Sequence, residues 1–210
     1  MKKLLVILLS LVLVCGCAFA EPAEKADPDA ISSATLNIDK LPEVEAQGNG
    51  ILVIYFSPDD TTRAAAYCIA AGLGADLFEI VAAEPYTEED LDYYNSFARS
   101  MKEMRDKDAR PAIAALPEDL AKYDTILLGY PIWGGEPPKI LFTFLESVDL
   151  SGKTVVPFCT SNSSPFGSSD KKLQKLTGDS VTWKKGTRIK KGATAEELIG
   201  LAPEILNPEE

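Results

Sequence analysis

Three stretches of the 210-residue chain combine side chains that can handle an anion, a flat apolar group and a set of hydrogen bonds. The first is Ser57-Pro58-Asp59-Asp60-Thr61-Thr62, where hydroxyls and carboxylates lead into an Ala-rich helical pattern. The amides at a helix N-terminus favour negative charge. The second, Tyr130-Pro131-Ile132-Trp133-Gly134-Gly135-Glu136, sets two aromatic rings beside two glycines. The third, Thr160-Ser161-Asn162-Ser163-Ser164-Pro165-Phe166-Gly167, supplies small polar donors and acceptors. Other chemistry is excluded by what is missing. The chain has no His, which removes a His-based triad, a His metal cluster and a His proton shuttle. Ser is plentiful but no base accompanies it, so a hydrolase has no supporting constellation. Cysteines occur at 15, 17, 68 and 159, with neither a zinc spacing nor a CxxC pair. Cys68 and Cys159 read either as buried free thiols or, in an oxidising compartment, as one disulfide.

The elements that must position these stretches follow from hydrophobic runs and their punctuation. Residues 51–56, a continuous apolar run between Gly50 and Ser57-Pro58, predict a strand buried on both faces. Residues 61–73 predict a helix ending near Gly72 and Gly74. Further strands are expected at 76–81, 125–130, 153–159 and 181–183, and helices at 87–107, 137–148, 168–176 and 194–206. Thr87 and Thr194, each followed by acidic residues, are the expected caps. Strands alternating with helices imply an α/β sandwich with a five-stranded parallel sheet of order 2-1-3-4-5. In such a sheet ligands sit beyond the carboxyl ends of the strands, at the switch between the first and third. All three stretches fall there. An anion site, an apolar platform and small polar donors are what a flavin mononucleotide, FMN, requires.

Composition bounds the setting. There are 21 Lys+Arg against 32 Asp+Glu, a net charge of −11. An acidic chain argues against nucleic-acid binding and against adhesion of the folded part to an anionic membrane. Lys2 and Lys3 precede an apolar run at 4–14, which reads as a secretory signal too short for a comfortable membrane span. Val14-Cys15-Gly16-Cys17 resembles a lipobox, with Cys17 the residue to be lipidated, and Ala18-Phe19-Ala20 is the competing cleavage site. Removal of Lys2 and Lys3 takes the basic count from 21 to 19 and makes the mature chain more acidic. The expected organisation is a signal at 1–20, a flexible tether at 21–48 rich in Glu, Ala, Pro and Asp, and a folded domain at 49–206. This places the domain on the outer face of the cell membrane, held by a lipid, or free outside the cytoplasm.

Several segments match one family in order and spacing. They are Ile51-Leu-Val-Ile-Tyr-Phe-Ser57, Ala75-Asp-Leu-Phe-Glu-Ile80, Tyr123-Asp-Thr-Ile-Leu-Leu-Gly-Tyr-Pro-Ile-Trp133, Phe142-Thr-Phe-Leu-Glu146, Ser151-Gly-Lys153 and Pro157-Phe-Cys-Thr-Ser161. From about residue 50 to 190 the chain resembles the flavodoxin-like proteins of gut and anaerobic bacteria. The resemblance implies a flavodoxin fold, noncovalent FMN, and electron transfer or flavin-dependent reduction with a redox partner protein. It implies that Ser57 and Thr62 end a phosphate loop containing Asp59 and Thr61. Tyr130, Pro131, Ile132 and Trp133, followed by Gly134, would flank the flavin, and Thr160, Ser161 and Gly167 would form the third loop. Trp133 reads alternatively as a plain buried aromatic, and Tyr130, at a strand end, as a packing residue more than a contact.

The departures from that pattern set up the functional question. The family's phosphate loop runs Ser-Arg-Thr-Gly-Asn-Thr, whereas here Pro58, Asp59 and Asp60 remove the basic residue, the Gly and the Asn. Pro58 also deletes an N–H donor. A unit charge pair about 6 Å apart at an effective dielectric of about 20 repels by about 3 kcal/mol, less if solvated. A helix N-terminus returns only about 0.3–1 kcal/mol for a surface anion. Arg63 adds one compensating charge, and Asp60 or Thr61 reads equally as a plain helix cap. Gly134 stands where the family often has a second Trp, and residues 162–165 replace a Gly-rich stretch. Two functions are therefore weighed: an FMN-binding redox protein, and a flavodoxin-like binding or scaffold module that has lost FMN.

Overall fold

The computed structural model describes residues 40–190 and 192–208. The signal, Cys17 and the tether up to residue 39 lie outside the described residues. Six strands, β1 (Ile51–Tyr55), β2 (Asp76–Glu79), β3 (Thr125–Pro131), β4 (Thr154–Thr160), β5 (Thr182–Trp183) and β6 (Thr187–Ile189), form one sheet. Six helices accompany them: α1 (Thr61–Leu73), α2 (Glu88–Leu91), α3 (Arg99–Arg105), α4 (Ile140–Ser147), α5 (Ser169–Gln174) and α6 (Ala195–Leu206). The sheet order is β2-β1-β3-β4-β5 with every pairing parallel, as the alternation of elements implied. The sixth strand was not anticipated. β6 pairs with Phe158–Thr160 of β4, beyond the Thr154–Val155 half that holds β5. The edge is thus one strand broken by Lys184-Lys185-Gly186. Packing requires glycine within the break: a Cβ on Gly186 would lie 1.9 Å from the ring of Phe166.

The continuous apolar runs are explained by burial on both sides of the sheet. Leu52, Ile54 and Phe56 join Ile126, Leu128, Tyr130, α4 and Leu173 of α5 in one core. Val53 and Tyr55 point the other way, with Leu127, Val156, Phe158, α1 and α6. Helices α1 and α6 approach so closely that a Cβ on Gly72 would lie 2.5 Å from the Ile199 carbonyl oxygen. Thr194 caps α6 as expected, its hydroxyl accepting from the Glu197 N–H while Glu197 accepts from the Thr194 N–H.

Two boundaries differ from expectation. The tether was placed at 21–48, yet Val44 packs against the second core and the Gln47 N–H donates to the Gly74 carbonyl at 2.9 Å. The chain is fixed to the domain from about residue 44. The helix expected over 87–107 is two short helices. Thr87 starts the first with a capping box. The Asp92 and Asn95 side chains then accept the N–H of Tyr94 and Phe97, at 3.0 and 2.9 Å. Such local bonds compete with helix and break it. Among the described residues no helix is long and apolar enough to cross a membrane.

Cys68 and Cys159 are both buried free thiols, which settles the alternative left open by the sequence. They lie in the two different cores, on opposite faces of the sheet. Burial pushes Cys68 up to about 11 and Cys159 up to about 12. Both stay protonated thiols at neutral pH and are poor nucleophiles. With Cys15 and Cys17 replaced by Ala, Ellman's reagent at about pH 8 should find no fast-reacting thiol in the folded protein and both after denaturation. A fast-reacting thiol in the native protein would contradict this packing.

Candidate functional site

The three stretches do meet at the carboxyl ends of β1, β3 and β4. Parallel register sets Pro131 beside Thr160. The Ile132 N–H donates to the Thr160 carbonyl at 3.0 Å. The Thr62 and Thr160 hydroxyls share a hydrogen bond of 2.8 Å, which ties the start of α1 to the end of β4. Both hydroxyls are buried, so each is the other's compensation for lost water.

The first loop is closed on itself. The Ser57 hydroxyl accepts the Arg63 N–H at 2.9 Å, and an Asp59 carboxylate oxygen accepts the Thr61 N–H at 3.3 Å. The Asp60 carbonyl takes the Ala64 N–H. Asp60 itself sits at φ 63, a left-handed conformation that Asp tolerates, and its side chain makes no cap hydrogen bond. The expectation that Asp60 or Thr61 caps the helix is corrected: Ser57 and Asp59 do so. Arg63, the one compensating charge, is engaged by Asp60 and by Glu79. It reaches Glu79 through Nη2 at 2.5 Å and Nε at 3.2 Å. Tyr55 donates its hydroxyl to the same Glu79 at 3.2 Å. Burial and the Glu79 charge push the Tyr55 hydroxyl well above the ordinary tyrosine range, so it stays protonated.

The second loop makes a tight turn. Trp133 and Glu136 exchange both backbone hydrogen bonds at 2.9 Å, with Gly134 and Gly135 between them at φ 55 and 88. Glu136 pairs with Lys172 of α5 at 2.5 Å. Half-buried Trp133 belongs to an aromatic trio with Phe56 and Tyr86, all edge-to-face at 5.6 to 5.8 Å between ring centres. Tyr86 is clamped from outside. Its hydroxyl donates to Glu103 at 2.6 Å, and Arg99 lies over its ring at 4.1 Å while bonding the same Glu103 at 2.7 Å. Burial, reinforced by Glu103, pushes the Tyr86 hydroxyl far up, so it donates at any physiological pH. The missing second Trp has a steric reason. A Cβ on Gly134 would lie 2.6 Å from the Met104 sulfur of α3. Met104 fills the space a larger residue would take.

The third loop is anchored at both ends. Phe166 packs on Gly186 and near Tyr130, and Ser169 bonds both the Tyr130 hydroxyl at 3.1 Å and the Phe166 carbonyl at 3.0 Å. Arg188 of β6 reaches under the loop and donates through Nη2 to the Ser161 and Asn162 carbonyls at 3.3 and 3.4 Å.

The twelve expected site residues therefore divide. Asp59, Thr61, Ile132, Trp133, Gly134, Ser161 and Gly167 present surface at the three loops. Ser57, Thr62, Tyr130, Pro131 and Thr160 do not, because they are buried in the framework. Tyr130 is 0 % exposed and bonded to Ser169, which fits the packing alternative for it. Sequence reasoning missed Phe56, Tyr86, Met104 and Arg188. Phe56 and Tyr86 were visible only as the end of a strand run and a residue ahead of a cap, and Arg188 sits on the unanticipated strand. Among the described residues no cluster of His, Cys, Asp or Glu could hold a metal.

The Thr62–Thr160 bond gives a direct check on how the loops are joined. Thr62→Val should destabilise by about 1–3 kcal/mol, because Thr160 is left buried and unpaired. The double variant with Thr160→Val should recover part of that loss in a urea-unfolding cycle. Additive losses would show that the two hydroxyls do not act as a pair.

Comparison with known proteins bears on the same region. A flavodoxin family model matches residues 50–203. A candidate flavoprotein from Bacteroides eggerthii is 42 % identical, with 76 % of this chain and 98 % of that chain covered and a TM-score of 0.68. A second, from Bacteroides uniformis, is 40 % identical over 75 % of this chain and 99 % of that one, at a TM-score of 0.69. A flavoprotein in complex with FMN from Lactobacillus acidophilus is 22 % identical over 66 % of this chain and 91 % of that one. Its TM-score of 0.56 shows the shared fold. No protein of curated function is recognisably similar. A match over most of the chain, relatives at about 40 % identity and the 2-1-3-4-5 sheet agree: the chain belongs to the flavodoxin family.

Proposed function

We propose that the protein binds a flavin at the three loops and works as an electron carrier or flavin-dependent reductase outside the cytoplasm. The observation that carries this is the joint construction of the second and third loops. Trp133 presents a half-buried aromatic face steadied by Phe56 and Tyr86, opposite a loop of small polar residues pinned by Arg188. An isoalloxazine needs such a face and such donors. The FMN-bound flavoprotein of the same fold supports FMN as the family's ligand.

The residue types at the loops suit the ring better than the phosphate. Ile132, Trp133 and Gly134 would hold the ring on one side, with Ser161 and Gly167 supplying hydrogen bonds on the other. Bound there, the flavin would accept and pass on electrons, and this chain would set its orientation and electrostatic surroundings. The flavin reading requires no side chain at the loops to act as an acid or base. With an excess of acidic residues, the surface would steer the protein toward a basic redox partner, with rates that fall as salt rises. The second reading, a module that has lost FMN, draws on the Asp59–Thr61 contact.

Flavin titration followed by fluorescence quenching separates the two readings. Saturable quenching by FMN or riboflavin at micromolar concentration is expected, weakened by about 0.5–1.5 kcal/mol in Trp133→Ala. Absence of quenching by either flavin would leave the flavin-free module. The proposal also includes lipidation of Cys17 after export. Cys17→Ala should then move the protein from the membrane fraction to the soluble one, whereas a variant that stays membrane-bound would refute the anchor.

A further inference from the structure

We infer that the site selects a flavin without a phosphate, of the riboflavin type, over FMN. The inference rests on the flavin reading above and concerns the loop where the phosphate of FMN would lie. Phosphate loops work by leaving helix N-terminal amides free and by adding positive charge or hydroxyl donors. Here several of those devices are already used. The Thr61 amide is given to Asp59 and the Arg63 amide to Ser57. Pro58 has no amide to give. The Thr62 hydroxyl is buried against Thr160. The Arg63 guanidinium is shared between Asp60 and Glu79.

The carboxylate of Asp59 accordingly does the capping that a bound phosphate would otherwise do, and it brings its own negative charge. Asp60 adds a second one on the same turn. A phosphate arriving here would displace an internal acceptor and face two like charges. A neutral ribityl chain would do neither, because its hydroxyls can donate to the Asp59 carboxylate and so complete the acceptor's bonding. Two departures from the family pattern, the lost Gly and Asn and the gained carboxylates, are then one adaptation. The loop is an acceptor of hydroxyls rather than a donor to an anion, while the ring-binding loops are retained.

Parallel titrations of the purified full-length protein with riboflavin and FMN, followed by flavin fluorescence and by calorimetry, test this. Riboflavin should bind about tenfold or more tighter than FMN. Added salt should strengthen FMN binding by screening the repulsion and leave riboflavin unchanged. Asp59→Asn with Asp60→Asn keeps side-chain shape, the capping oxygen and tolerance of the left-handed conformation, and replaces the charge and one acceptor oxygen at each position with a neutral NH2 group. In that variant FMN should gain about tenfold and riboflavin, which loses a charged acceptor at Asp59, should not gain, so that the preference for riboflavin shrinks by about tenfold or more. FMN binding as tightly as riboflavin, or a preference unchanged by salt and by the double variant, would overturn the inference and leave the flavin reading standing. Failure of both flavins to bind would overturn the flavin reading itself, and this inference with it.

Discussion

A parallel sheet buried on both faces leaves its polar chemistry only one place to go. Leu52, Ile54 and Phe56 face one core, and Val53 and Tyr55 face the other. Both sides must be covered by helices, and each crossover brings the chain back to start a new parallel strand. The carboxyl ends of β1, β3 and β4 are then forced into one rim. The polar loops are collected there by topology before any of their own contacts form. The Thr62–Thr160 and Ile132–Thr160 hydrogen bonds refine that placement.

On this rim the side chains have unequal duties. Five of the residues that the pattern points to are framework, and the surface is left to Trp133, Ile132, Gly134 and the small residues of the third loop. Trp133 owes its orientation to rings contributed from two other segments. Phe56 ends β1, and Tyr86 is held by Arg99 and Glu103 of α3. The tip of Met104 from the same helix packs over position 134. The segment between β2 and β3 therefore shapes the Trp133 surface without being part of the second or third loop. Electrostatics divides the rim again: Glu136 beside the second loop is paired with Lys172, whereas the α1 side carries Asp59 and Asp60 with Arg63 shared between Asp60 and Glu79.

Much of this was legible in the sequence for a physical reason. Strands buried on both faces are long apolar runs, so residues 51–56, 125–130 and 153–159 announce themselves and fix the topology. The boundaries of α1 and the Thr194 cap followed from glycine and capping signals. What escaped notice depended on tertiary contact. The short strand at Thr187–Ile189 carries no run of its own and exists because β4 has an unpaired half-edge. Tyr130, at a strand end, can be read from sequence as packing or contact, and its buried bond to Ser169 is a tertiary feature. Asp92 and Asn95 interrupt a helical pattern through bonds no periodicity describes. The acidic character of the first loop was plain from Pro58-Asp59-Asp60. That Asp59 caps α1 in place of Asp60 was not, because it depends on Asp60 adopting a left-handed conformation.

The central claim is that the loops after β1, β3 and β4 hold a flavin with its ring on the Trp133 side. Amide and indole nuclear magnetic resonance during riboflavin addition tests it most directly. The account predicts shifts confined to Ile132–Gly134, Ser161–Gly167 and the Trp133 indole N–H, with the Thr194–Leu206 helix unmoved. Shifts centred on α6 or on the β5–β6 edge, with the Trp133 indole silent, would contradict it.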